Sequence, residues 1–127
     1  MFERIRRADG RWLHVAVVGA LLFVGSVVPL PSRSRPRFGP FGPDKGVHLL
    51  AHAWLAAAIA AALDEDEPGV PAAASAVLLS TVFGFVIEVL QARVPGRMYE
   101  RADVVSGFVG SVVGVACLPS GGTRNRN

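Results

Sequence analysis

The stretch PDKGVHLLAHAW, residues 43–54, decides how this chain is read. It opens a long apolar run, GVHLLAHAWLAAAIAAAL over 46–63, yet it carries Asp44, Lys45, His48 and His52 at its mouth. Asp44, His48 and His52 stand at i, i+4 and i+8. On an α-helix they share one face, drifting by about 40° per step, with His52 about 12 Å below Asp44. Asp44, just after Pro43, reads as an N-cap. A segment that is apolar all along and ionisable only at one end suits a membrane helix whose mouth meets the headgroups.

Working outward, three more runs share that character. WLHVAVVGALLFVGSVVPL covers 12–30; its 19 residues rise about 28 Å as a helix, close to the hydrocarbon thickness of a bilayer. It follows an Arg cluster as a signal peptide would, but it is long for one and no A-x-A site follows, so it reads as a retained helix. AAASAVLLSTVFGFVIEVLQA covers 72–92 and DVVSGFVGSVVGVACL covers 103–118. Between them lie a Pro- and Gly-rich connector at 30–43, the acidic loop DEDEPGVP at 64–71 and RVPGRMYERA at 93–102, with a polar tail over 119–127. The valine-rich runs lack the alternation of membrane strands, and helices are then the remaining way to satisfy a backbone in lipid. The expected fold is all-α: one domain over 1–127, an integral membrane bundle of four transmembrane helices (12–30, 46–63, 72–92, 103–118) with both termini on the same side.

Composition agrees. AVILMFWYC residues make up 51% of the 127 and charged residues 18%, against about 25% in a soluble domain. Mean hydropathy is +0.42. The net charge of +3 does not point to nucleic acid, because the arginines bracket apolar runs instead of covering one face. Six basic residues flank the terminal side and seven the other, so charge bias assigns no orientation. Cys117, alone, permits no intrachain disulfide and reads as a small buried or lipid-facing group. In the last run Gly107, Gly110 and Gly114 form a small-residue face of the G-x-x-x-G kind, which lets helices approach closely.

This topology gathers most of the polar groups at one membrane surface. Asp44, Lys45 and His48 begin the second helix there, Glu88 and Gln91 end the third, Asp103 begins the fourth, and Arg93, Arg97 and Arg101 lie between. Glu88, inside the apolar FVIEVL, is the sharpest case, since a carboxylate in such a run is costly and marks a functional site by default. Asp44, His48, Glu88 and Asp103 are the candidate catalytic groups; Lys45, Gln91 and Arg97 are the candidate substrate-binding ones. Each also has a plain reading: a cap, a snorkelling lysine, an interface amide, a Glu88–Arg97 pair. His52 reads as structural and His14 as interfacial. H-x-x-x-H at 48 and 52 places two imidazoles on one face, but with no H-E-x-x-H and no cysteine cluster neither a metal nor another cofactor is expected. No G-x-S-x-G is present for nucleophilic catalysis.

In order, DKGVHLLAH and then GFVIEVLQARVPGRMYERADVVSGFVG resemble the VanZ-like family of small integral membrane proteins. The matching residues are Asp44, Lys45 and His48; Glu88 and Gln91; Pro95, Gly96 and Arg97; and Asp103. The order and layout agree over about 12–118. One departure stands out: the family usually has Asn four residues after the last Asp, and here that position is Gly107, with Ser106 beside it as a possible polar substitute. The resemblance implies a multi-pass cell-membrane protein with a polar site at one surface. The family is named for a protein linked to glycopeptide (teicoplanin) resistance, and its name supplies no biochemical activity. Two readings follow. In one, the polar cluster binds or acts on a lipid headgroup or lipid-linked envelope intermediate, with His48 and Glu88 moving a proton. In the other, the cluster is a structural clasp in a non-catalytic protein that binds a partner. Proton-linked transport is a distant third, since one Glu at a helix end is a poor relay across the bilayer.

Overall fold

The computed structural model describes residues 1–27, 43–63, 69–94 and 101–118. Within them the chain is helical throughout: α1 (Phe2–Val27), α2 (Pro43–Leu63), α3 (Val70–Gln91) and α4 (Arg101–Ala116), with no strand among the described residues. The connector at 30–42, most of the acidic loop, the Pro95–Gly96–Arg97 turn and the tail lie outside the described residues.

Local sequence explains the helix limits. α1 starts at Phe2 instead of residue 12, because FERIRRAD holds good helix formers and no proline, and Glu3 in the first turn favours the positive end of the helix dipole. Extending an existing helix costs little beside nucleating one. α2 begins at Pro43, so Asp44 sits within its first turn and is not its N-cap; proline's fixed φ suits a first helical position, where its missing N–H would have had no partner. α3 begins at Val70, two residues before the apolar run, with Gly69 as an N-cap that offers no side-chain bond and Pro71 in the first turn. Its end tightens: the N–H groups of Arg93 and Val94 reach back three residues to the carbonyls of Leu90 and Gln91.

Three helical segments are long and apolar enough to cross a membrane: Ile5–Val27, Gly46–Leu63 and Val70–Gln91. α4 is shorter, at 16 residues or about 24 Å. The distribution of side chains is that of a protein in lipid. Leu21, Leu50, Trp54, Leu78, Phe85, Val105 and Phe108 are exposed, whereas His52, Ser80, Glu88, Gln91, Asp103 and Ser111 are buried. A small apolar cluster of Val18, Leu55, Ile59, Ala60 and Ala76 packs the middle of the bundle. In water that arrangement would waste apolar surface; in hydrocarbon it hides the polar groups and costs nothing outside.

The closest approach is between α2 and α4, and glycine permits it. A Cβ on Gly110 would run into the backbone carbonyl of Leu49, and one on Gly114 into that of Ala53. The register 49/110 and 53/114 climbs together, so the two helices run in the same direction. The small-residue face read from the sequence is therefore the α2–α4 contact. α1 lies antiparallel to α2: an Arg11 Nη donates to the Ala61 carbonyl at 3.3 Å, and Trp54 Nε1 donates to His14 Nε2 at 2.8 Å.

Candidate functional site

At the end of the bundle where α2 and α4 begin and α3 ends, three ionisable side chains meet. His48, Glu88 and Asp103 each offer one ligand atom, and those atoms lie within 4.8 Å of one another. His48 Nε2 is 3.6 Å from Asp103 Oδ2, beyond hydrogen-bond range but within reach of an ion pair. Glu88 is 2% exposed and Asp103 8%, and the His48 side chain, at 14%, is the most accessible of the three. Helix arithmetic puts them there: Glu88 lies one turn before the end of α3, His48 one turn into α2, and Asp103 in the first turn of α4.

Gln91, one turn beyond Glu88, closes the same end from a different side. Its Nε2 donates to the Ser26 carbonyl at 2.7 Å, which ties α3 to the last turn of α1. That carbonyl belongs to the final helical turn, where no intrahelical donor is available.

One layer deeper the register steps by four on each helix, to His52, Gly84 and Gly107. His52 is 2% exposed and fills the space the two glycines leave. A Cβ on Gly84 would lie 2.7 Å from His52 Cε1, and one on Gly107 would lie 3.0 Å from His52 Cδ2. The imidazoles of His48 and His52 stack, with centroids 6.4 Å apart and planes 17° from parallel. His52 Nδ1 lies 2.9 Å from Ser80 Oγ, whose oxygen is 2.8 Å from Ser111 Oγ. Ser111 donates to the Gly107 carbonyl at 2.7 Å.

Of the sequence candidates, His48, Glu88 and Asp103 come together and Gln91 caps their end of the bundle. Asp44 and Lys45 are placed on the first turn of α2, and Arg97 lies outside the described residues. Sequence reasoning passed over Ser80 and Ser111; His52, read as structural, stands at one end of a buried hydrogen-bond chain that runs through them. The signal available was Gly84 and Gly107: two glycines at matching depth on neighbouring helices mark a space, and a histidine stands opposite. His52 faces Gly107. Thr81 Oγ1, on another face of α3, is the one buried side-chain polar atom without a hydrogen-bond partner among the described residues. Compared with protein-family models, with curated proteins and with solved structures, the chain matches none of them.

Proposed function

We propose that this chain is a VanZ-like, multi-pass protein of the cell membrane whose cluster of His48, Glu88 and Asp103 engages the phosphate-bearing headgroup of a lipid or lipid-linked envelope intermediate. In this reading α4 is the fourth span and both termini lie on one side. The observation that carries it is the meeting of three ionisable groups, from three helices, at one end of a bundle whose outer surface is apolar. Burying two carboxylates and an imidazole in such surroundings is expensive, and membrane proteins tolerate that expense at functional sites. The sequence sets Lys45 three residues before His48 and Arg97 six before Asp103, which would supply positive charge for a phosphate. A link to glycopeptide resistance is part of the same proposal and rests on the family resemblance alone.

The test is lipid analysis of a strain lacking this protein, complemented with the wild type or with Glu88→Gln. The reading requires altered levels of a phospholipid or lipid-linked sugar, restored by the wild type only. Unchanged lipid pools with a well-folded Glu88→Gln protein would sink it. The competing reading is the structural clasp, favoured by the Gln91–Ser26 bond and the His52–Ser80–Ser111 chain, which join helices whatever else they do. Under the clasp, Glu88→Gln lowers stability in detergent and any phenotype follows protein level.

A further inference from the structure

We infer that His48, Glu88 and Asp103 form a binding site for one divalent transition-metal ion of the zinc class. The inference deepens the headgroup reading, but it rests on it only for the ligand that would complete the coordination, a phosphate or carbonyl oxygen entering from the membrane surface.

Geometry is the first argument. Bonds of about 2.0–2.1 Å to imidazole nitrogen and carboxylate oxygen in a tetrahedral site put neighbouring ligand atoms about 3.3–3.4 Å apart. His48 Nε2 and Asp103 Oδ2 stand at 3.6 Å, and all three ligand atoms lie within 4.8 Å. Drawing in the widest pair would take a shift of at most about 1.4 Å.

Donor type is the second. One nitrogen with two oxygens suits zinc and, less well, manganese, whereas magnesium and calcium prefer oxygen alone. Three protein ligands also leave a coordination position open, as in sites that bind a further molecule.

A second imidazole lies in the layer beneath. The His48 ring stacks on His52, whose Nδ1 is taken up by Ser80, so His52 is not counted among the ligands. The sequence pattern had paired His48 with His52; the fold pairs His48 with carboxylates from two other helices.

The experiment uses the full chain in detergent with its affinity tag removed, stripped with chelator and titrated separately with zinc, manganese and magnesium chloride. Binding is read by calorimetry and by elemental analysis. One zinc per chain is expected, with manganese at least tenfold weaker and magnesium weaker still. His48→Ala, Glu88→Gln and Asp103→Asn should each weaken zinc at least tenfold, while His14→Ala leaves it unchanged. X-ray absorption at the zinc edge of the wild type guards against variants that misfold: it should show a nitrogen–oxygen shell with one imidazole and no sulfur. A wild type that takes up no stoichiometric ion, or one whose zinc is bound through Cys117 sulfur, overturns the inference. Either result leaves the headgroup reading to its own lipid test. Stoichiometric zinc alongside unchanged lipids would do the reverse.

Discussion

Ser111 Oγ stands 2.7 Å from the Gly107 carbonyl and 2.8 Å from Ser80 Oγ, and these two distances set the direction of a buried hydrogen-bond chain. A carbonyl only accepts, so the single Ser111 proton goes to Gly107. Ser80 must then donate to Ser111, and His52 Nδ1 must donate to Ser80, 2.9 Å away. The opposite order leaves two oxygens 2.7 Å apart with no proton between them. His52 is thus held with hydrogen on Nδ1, although no single contact of its own dictates that.

Imidazole nitrogen spectroscopy on labelled protein should therefore find Nδ1 of His52 protonated. Ser111→Ala should cost about 0.5–2 kcal/mol of stability, the range for interhelical hydrogen bonds in membranes, and Ser80→Ala at least as much because it strands both neighbours. A wild-type spectrum with hydrogen on Nε2 alone contradicts the direction argued here.

The glycines around His52 lead to a coupled pair of substitutions. Gly84→Ala places a methyl 2.7 Å from the ring, so it should destabilise by about 1–3 kcal/mol, as overpacking does. Combined with His52→Ala, the same change should cost much less, because the obstacle is gone. A double-mutant cycle in detergent, with a coupling term of about 1 kcal/mol or more, is the expected result. Additive effects would mean that Gly84 serves some purpose other than making room.

At the α2–α4 crossing the obstacle is backbone and cannot swing away. Gly110→Ala and Gly114→Ala should each destabilise by about 1–3 kcal/mol or more, since the helices must part. Gly10→Ala supplies the contrast: nothing lies within 4 Å of its would-be Cβ, and alanine favours the helix by about 1 kcal/mol. Thermal unfolding of the three variants should rank Gly10→Ala at or above wild type and the other two well below.

Gln91→Leu removes the donor to the Ser26 carbonyl. The last turn of α1 should loosen, with a loss of about 0.5–2 kcal/mol and faster amide exchange near Ser26. Exchange that stays as slow as in the wild type would show that α1 is held by other contacts.

Much of the architecture was legible in the linear chain because lipid imposes simple rules. Long uncharged runs must be helical, and short connectors between them alternate the direction of successive helices, which already drew His48, Glu88 and Asp103 toward one end. The small face of Gly107, Gly110 and Gly114 was legible too, as spacings of three and four. The start of α1 was not, because the charged helix formers of FERIRRAD extend it ahead of the apolar run, and hydropathy is blind to them. Ser80 and Ser111 were not, because a serine in an apolar run gives no sign of whether it faces lipid or a neighbour.

By itself, then, the sequence determined that this protein is helical, that it suits a membrane, and which end of each helix is polar, since those properties follow from local hydropathy and the need to satisfy the backbone. Only the tertiary structure decided which polar groups touch. That depends on the depths at which α2, α3 and α4 pack against one another, set by Gly110 and Gly114, which admit the carbonyls of Leu49 and Ala53, and by Gly84 and Gly107, which admit the His52 imidazole. Those contacts join residues far apart along the chain, and no local pattern encodes their register.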